Sequence, residues 1–364
     1  MGFIEMGVKP SKSRQILIDN LESRLLNVPD NTKALQLLTN LNYFQVINGL
    51  ENIFLSTNNP KKFNKVSIYD FERLYCDSKK IATEISRSLD DFEERLKGSI
   101  SYHFSQAYCR NINDTMQYTN KNNYRDATEF VGYPLNSGQY GKIIRTFNET
   151  TNSKKFLFFQ PWFLTNLVEQ NDHIDENFYR DTQYTAPNNV VSYSNDTQVA
   201  VPLWVAIETL TFGSLIYLCH YLKNDDMNNV LHDFGLTAND RMIFLNVLDV
   251  LKELRNHIAH GNLLLRFQTP GYIKFTNNFV NRFQLTPRTR GTMGNNRRVS
   301  YASEIYLYDA LKILNNFYST KNTVRQFKKM FYHNMKSMQS AEIYNDRIIK
   351  MIGAPSYRHL KDLT

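Results

Sequence analysis

The feature of the sequence that most restricts its fold is the segment from Ser67 to Cys109. It contains no proline, and Gly98 is its only glycine. Its large apolar residues recur every three to four positions, apart from one longer step: Ile68, Phe71, Leu74, Ile81, Ile85, Leu89, Phe92 and Leu96. This spacing places them on one face of an α-helix. The segment is therefore predicted to form one long helix, or two helices in near succession.

Helical spacing also dominates the remainder of the chain. A first helix is predicted to begin at Ser13, and Pro29 separates it from a second one that ends near Leu41. Further helices are predicted within 138–170, at about 203–222 and 239–259, and from about 301 to 351. The polar segments 110–135 and 171–198 are predicted to be loops, and long loops of this kind often carry function.

The pattern changes after Gly261, where three short β-like runs cover 263–265, 272–275 and 279–280. The predicted fold is therefore mainly α, with a small β-like insert. We expect an N-terminal helical segment over 1–60 and a helical core over 61–265. A β-like basic insert followed by C-terminal helices is expected over 266–364.

Composition excludes several classes of protein. With 42% hydrophobic residues and 13% aromatics in 364 residues, the chain can build a full core and is not disordered. Its three cysteines form neither a disulfide framework nor a metal-binding pattern, so a cytoplasmic location is expected. The only candidate membrane span, 199–222, contains Glu208 at its centre and is predicted to be a buried helix instead. The net charge of +8 favours an anionic partner, either a nucleic acid or a membrane surface.

The end of the helix predicted over 239–259 carries the sharpest chemical motif, Arg255-Asn256-His257-Ile258-Ala259-His260. Gly261 follows it and is predicted to end the helix. On a helical wheel, Arg255 borders the apolar stripe, whereas Asn256 and His260 lie one turn apart on an adjacent face. A guanidinium for a phosphate, an imidazole for proton transfer and an amide for orientation could together cleave a phosphodiester.

Two other interpretations of this motif exist. Cations in the last turn of a helix can simply offset the helix dipole, and spacing alone favours that structural role. His257 and His260 could also hold a metal ion, but no third ligand lies nearby in the sequence and no metal or other cofactor is predicted.

The motif resembles the R-x4-H signature of the HEPN superfamily, in its R-N-x-x-A-H form. Two further patterns resemble one branch of that superfamily, the Abi-like abortive-infection proteins of the AbiD/AbiF kind. One is the N-terminal pattern of Lys9-Pro10, Gln15, Leu21, Ala34, Leu38 and Asn42-Tyr43-Phe44. The other is the run from Pro202 to Gly213, PLWVAIETLTFG. The resemblance covers about residues 9–266.

The resemblance implies a HEPN-like helical bundle acting as a metal-independent endoribonuclease in bacterial phage defence. Two copies of the motif would face each other across a homodimer. Arg255 would bind the scissile phosphate, His260 would move protons at the ribose 2′-hydroxyl and the leaving oxygen, and Asn256 would orient one of them. Attack by the 2′-hydroxyl restricts the substrate to RNA rather than DNA. A structured noncoding RNA is a further implied partner, which would restrain or guide a toxic enzyme.

For the other charged residues, the sequence leaves two or more roles open. Glu208, within an apolar stripe, is expected to fix Arg255 by an ion pair or, alternatively, to pair with another basic residue or lie partly solvated. Arg95 and His103 are too far apart for the signature and are predicted to be structural or RNA-facing.

A basic segment interleaved with Phe275, Phe279, Phe283 and Tyr301 is either an RNA-binding element or a solvated loop over core aromatics. Its arginines are Arg282, Arg288, Arg290, Arg297 and Arg298.

The sequence leaves other classes of function open. A non-catalytic RNA-binding or scaffold protein with a HEPN core is the main alternative, and the intact set of Arg255, Asn256 and His260 favours the enzyme over it. A nucleotide-binding helper is a third class, disfavoured because the sequence has no glycine-rich phosphate loop.

Overall fold

The computed structural model describes residues 11–126, 139–194, 196–294 and 297–363. The helices and strands of the first half are α1 (Arg14–Glu22), α2 (Asn31–Asn40), α3 (Gly49–Phe54), β1 (Leu55–Asn58), β2 (Lys61–Phe63), α4 (Ile68–Tyr108), α5 (Gln139–Asn148) and α6 (Phe163–Glu169). Those of the second half are α7 (Leu203–Ala206), α8 (Phe212–Tyr221), α9 (Asn224–Asp233), α10 (Arg241–Ala259), α11 (Asn277–Arg282), β3 (Thr289–Gly294), β4 (Arg297–Ala302), α12 (Leu307–Asn315), α13 (Lys321–Ser337), α14 (Ala341–Met351) and α15 (Tyr357–Lys361). The fold is mainly α, as predicted.

Helix α4 is the central element, and it is one continuous helix. The Ser67 hydroxyl and the Asp70 carboxylate form a reciprocal capping box that satisfies two backbone N–H groups at its start. All eight apolar residues that predicted the helix are buried. Different faces of α4 pack against α7, α9, α10 and α13, so this helix organises the core.

One hydrophobic core extends from Ile18 near the N-terminus to Leu363 near the C-terminus. The C-terminal helix α13 packs on α4, and α14 packs on α3. The Arg347 guanidinium of α14 donates hydrogen bonds to the carbonyls of Ile53 (2.7 Å) and Leu55 (2.6 Å). The segments 1–60, 61–265 and 266–364 therefore all contribute to the same core, and their division into domains stays a prediction.

The helix predicted over 203–222 is broken into two. Helix α7 ends at Ala206, a 3₁₀ turn follows over Ile207–Thr209, and Leu210 is extended before α8 begins. The Thr211 hydroxyl accepts a hydrogen bond from the Ser214 N–H (3.2 Å), which caps α8. A threonine that caps a helix needs extended backbone, so the chain turns at this point. None of the described helices combines the length and the hydropathy that a membrane span requires.

The strands form two separate antiparallel hairpins. The first pairs β1 with β2 around Pro60 and was not predicted, because both strands are very short. The second pairs β3 with β4 within the basic segment that carries Arg290, Arg297 and Arg298. Two of the predicted β-like runs are instead helical, since 264–266 forms a 3₁₀ turn and Phe279 lies in α11. In the run 272–275, only Phe275 makes a bridge, to Ala302.

Candidate functional site

The R-N-x-x-A-H motif lies at the C-terminal end of α10. The inner face of this helix is fully buried through Phe244, Leu248, Leu251 and Leu254. The helix ends in a Schellman motif, in which the Asn262 N–H donates to the His257 carbonyl (3.1 Å) and the Gly261 N–H donates to the Ile258 carbonyl (2.9 Å). Gly261 adopts φ of +67°, a left-handed conformation that glycine takes without steric cost. The predicted stop at Gly261 is confirmed.

The motif places its two chemically active side chains at the surface of this helix end. Arg255 and Asn256 are half-buried, and His260 is exposed at the capping position. Within the described part of the chain, the Arg255 guanidinium and the His260 imidazole form no hydrogen bond or ion pair. By contrast, the buried Arg241 guanidinium of the same helix donates to the carbonyls of Cys219, His220 and Leu222. Arg255 and His260 therefore have polar groups available to a ligand or a second chain.

His257 has a different role from His260. Its Nε2 lies 3.0 Å from the Leu263 carbonyl, and its ring packs edge-on against Phe267. Burial lowers the pKa of His257, although the contact with the Leu263 carbonyl acts in the opposite direction. The ring is therefore part of the packing beneath the helix end. No cluster of three or more His, Cys, Asp or Glu side chains that could hold a metal ion occurs among the described residues.

The loop after His260 is held by the N-terminal motif. The Asn42 side chain accepts a hydrogen bond from the Phe44 N–H (2.9 Å) and so fixes the turn that presents Gln45. The Gln45 amide then accepts from the Leu263 N–H (3.0 Å) and donates to the Asn262 side chain (3.3 Å). The structure thus brings together Asn42-Tyr43-Phe44 and the end of the R-N-x-x-A-H helix, which are far apart in sequence.

Two further contacts hold the same loop. The backbone of Gly49 packs so closely on Leu263 that an added Cβ would lie 2.9 Å from a methyl carbon. The Lys79 ammonium of α4 lies 3.4 Å from the Gly261 carbonyl. Neither Gln45 nor Lys79 was identified from the sequence. The position of Gln45 directly after the Asn42-Tyr43-Phe44 pattern was the only local signal.

A groove opens beside the motif between α5, α8 and α10, and we call it the α8–α10 groove. It has a volume of about 880 Å³. It is lined by Lys142, Ile143, Thr211, Gly213, Ser214, Ile216, Tyr217, Lys252, Glu253, Asn256 and Tyr272. Asn256 comes from the R-N-x-x-A-H motif, and Thr211 and Gly213 come from the PLWVAIETLTFG run. The R-N-x-x-A-H motif and the PLWVAIETLTFG run therefore meet in this groove.

One ion pair, between Lys252 and Glu253, lies in the lining of the groove. The Lys252 ammonium lies 3.0 Å from the Glu253 carboxylate, and the Tyr272 hydroxyl donates to the same carboxylate oxygen at 3.4 Å. Burial disfavours the charge on Lys252, but the hydrogen bond to Glu253 and the charges of Glu253 and Asp249 together raise the pKa of Lys252. The Glu253 side chain thus lies beside the Tyr272 ring, in contact with both Lys252 and Tyr272.

The expected ion pair between Glu208 and Arg255 does not form. The Glu208 side chain is 59% exposed, and its carboxylate lies 3.4 Å from the Lys97 ammonium of α4. The helix break after Ala206 turns the acid away from the apolar stripe on which the prediction placed it. The alternative role, a structural pair with another basic residue, describes Glu208 correctly.

Arg95 and His103 are structural. The Arg95 guanidinium donates to the Asp233 carbonyl and lies over the Phe234 ring at 4.7 Å. The His103 Nε2 lies 2.9 Å from the Asp233 carboxylate. Both side chains therefore tie α4 to the end of α9.

The three phenylalanines of the basic segment belong to the core, whereas Tyr301 is half-buried. Phe275, Phe279 and Phe283 are buried, so these rings cannot stack on bases as one interpretation required. Arg282 and Arg288 are exposed, and Arg288 lies over the Tyr306 ring at 4.9 Å. Arg290 in β3 and Arg297 and Arg298 in β4 are placed by their backbone only. RNA binding by these arginines stays a proposal.

The fold and the site define a mainly helical protein with an arginine and a histidine available at the end of a buried helix. A family model described as Abi-like protein matches residues 36–266. The chain therefore belongs to the Abi-like protein family, which suggests a role in abortive infection, a form of phage defence. Comparisons with curated proteins and with solved structures give no match.

Proposed function

We propose that this Abi-like protein is a HEPN-type, metal-independent endoribonuclease of the AbiD/AbiF kind that acts as a toxin in abortive infection. The observation that carries the proposal is the contrast between two pairs of side chains on α10. The Arg241 and His257 side chains form hydrogen bonds with backbone carbonyls. The Arg255 and His260 side chains at the helix end have no such partner among the described residues.

The proposed chemistry is a transesterification, whose cyclic phosphate product can afterwards be opened to a 3′-phosphate when water adds to phosphorus and the bond to the 2′-oxygen breaks. A base removes the proton of the ribose 2′-hydroxyl, and the 2′-oxygen forms a bond to phosphorus while the bond from phosphorus to the 5′-oxygen breaks. An acid returns a proton to that 5′-oxygen. The products are a 2′,3′-cyclic phosphate and a free 5′-hydroxyl. His260 acts as the general base and, from the second copy of the motif, as the general acid. Arg255 stabilises the negative charge that develops on the phosphoryl oxygens, and Asn256 orients a reacting group.

A single chain offers one such histidine, whereas the reaction needs a base and an acid. We infer that a homodimer brings two motifs into one cleft along a two-fold axis. Light scattering on the RNA-free protein should then give a mass about twice 42.7 kDa. A strict monomer that cleaves RNA at full rate would exclude the shared cleft.

The test of catalysis is RNA cleavage in EDTA by the wild type and paired variants. His260→Ala should lower the cleavage rate by roughly 10²- to 10⁴-fold, the usual contribution of a positioned acid or base. His232→Ala is the matched control, because His232 is an exposed histidine in the last turn of α9. Arg255→Ala should lower the rate by a similar factor, with the exposed Arg325→Ala of α13 as its control.

End-group mapping completes this experiment. The products should carry 2′,3′-cyclic or 3′-phosphate ends and 5′-hydroxyl ends. RNA binding without cleavage would favour a non-catalytic RNA-binding protein, and cleavage abolished by EDTA would favour a metal-dependent enzyme. A noncoding RNA that restrains the toxin would be recovered by sequencing the RNA that co-purifies with the protein.

A further inference from the structure

The α8–α10 groove is larger than the chemistry at the helix end requires. Of the three proposed catalytic residues it contains only Asn256. The rest of its lining comes from α5, α8 and its capping residue Thr211, the preceding turn of α10, and Tyr272. Its volume of about 880 Å³ falls within the range of small-molecule binding sites, roughly 300–1,000 Å³. It therefore has room for a ligand of nucleotide size.

The lining of the groove suits a nucleobase. Tyr272 is 48% exposed and Tyr217 is half-buried, so aromatic surface is accessible from within the groove. Unpaired bases of single-stranded RNA stack on such rings and present their edges to polar side chains. The exposed Lys142 lies at the same groove and can meet the phosphates that flank a bound base.

The carboxylate of Glu253 gives the groove a chemical preference. It is held beside Tyr272 by the Lys252 ammonium, and an ionised carboxylate can only accept hydrogen bonds. Adenine and cytosine carry an exocyclic amino group that donates to a carboxylate. Uracil has the O4 carbonyl oxygen in place of the cytosine amino group, and its N3–H donor lies between two carbonyl oxygens that a carboxylate repels.

The position of the groove connects it to the cleaved bond. Asn256 lines the groove and lies one helical turn before His260 on the same face of α10. If the cleaved phosphate of an RNA chain lies between Arg255 and His260, an adjacent nucleotide of the same chain lies at the opening of the groove.

We propose that the α8–α10 groove binds one nucleotide of single-stranded RNA next to the cleaved phosphate, stacks its base on Tyr272, and uses Glu253 to favour amino-bearing bases over uracil. This inference rests on the proposed function for its substrate. It is tested by binding alone, so that its failure and the failure of catalysis can be told apart.

The experiment measures fluorescence anisotropy of short labelled RNAs on the 364-residue chain carrying His260→Ala, in which cleavage should be slower by roughly 10²- to 10⁴-fold. Oligo-A and oligo-C should bind several-fold more tightly than oligo-U. Adding Tyr272→Ala should weaken oligo-A binding by roughly fivefold or more, the usual effect of losing one stacked base. Tyr272→Phe keeps the ring and should retain most of the affinity. Tyr332→Ala, at an exposed tyrosine of α13, is the matched control and should change little.

The role of Glu253 is tested in the same assay. Glu253→Gln should bring the affinities for oligo-A and oligo-U closer together, because an amide can donate to a uracil carbonyl as well as accept. The proposal is overturned if Tyr272→Ala binds oligo-A as tightly as Tyr332→Ala does, or if Glu253→Gln leaves the ratio of oligo-A to oligo-U affinity unchanged. If these binding results hold but the wild type cleaves no RNA, the groove stands and the proposed catalysis fails.

Discussion

Replacing Gly261 with alanine tests whether the backbone at the end of α10 holds His260 in its working position. Gly261 has φ of +67°, and a non-glycine residue in the left-handed region costs about 1–2 kcal/mol. An added Cβ would meet only the Lys79 ammonium nitrogen at 3.6 Å, which is an ordinary contact. We therefore expect the variant to fold, with a free energy of unfolding lower by about 1–2 kcal/mol.

The chain contains a matched control for this substitution. Helix α9 ends in the same motif, with the Leu236 N–H donating to the Leu231 carbonyl (2.9 Å) and Gly235 at φ of +71°. A Cβ on Gly235 would meet no atom within 4 Å. Gly235→Ala should therefore lose about as much stability as Gly261→Ala, by the same backbone mechanism.

The two variants should differ in activity. His260 directly precedes Gly261, and displacing a catalytic group by about 1 Å can cost up to about 10²-fold in rate. We expect RNA cleavage to fall by about 10- to 100-fold in Gly261→Ala and by less than about twofold in Gly235→Ala. Thermal unfolding followed by circular dichroism should show similar decreases in Tm, of a few degrees each. Equal loss of cleavage in both variants, or no loss of stability in either, would refute this reasoning.

Three other substitutions or conditions give independent tests. Glu208→Gln should leave the rate of RNA cleavage unchanged, because the exposed carboxylate contacts Lys97 and not Arg255; a rate like that of Arg255→Ala would contradict this. Burial, together with the charge of Arg241, lowers the pKa of His220 to about 3. The unfolded state therefore binds a proton that the folded state does not, and Tm should fall as the pH drops from about 6.5 towards 3. His220→Gln, if it folds, should have a shallower dependence of Tm on pH over that window. Replacing four arginines of the basic segment with glutamine should weaken RNA binding and reduce the slope of log affinity against log salt by about 0.7–0.9 per lost phosphate contact. These are Arg288, Arg290, Arg297 and Arg298, and an unchanged slope would show that the segment is merely solvated.

Features that depend only on neighbouring residues could be predicted before the fold was known. The apolar spacing and the lack of helix breakers between Ser67 and Cys109 were enough to predict α4, because each turn of a helix is specified locally. Gly261 was enough to predict the end of α10, since its left-handed backbone favours glycine. The R-N-x-x-A-H motif and its two companion patterns were likewise readable in order along the chain.

Contacts between side chains that are distant in sequence could be read only from the folded chain. The capping hydrogen bond at Thr211 breaks the helix predicted over 203–222, and that break directs Glu208 to Lys97. Gln45 contacts the loop after His260 across more than two hundred residues of sequence, a pairing that no local pattern contains. The three phenylalanines of the basic segment face the core because neighbouring elements cover them, although their spacing suits an exposed surface as well. A side chain's partner depends on how distant elements pack, so the groove beside Asn256 became visible only in the folded chain.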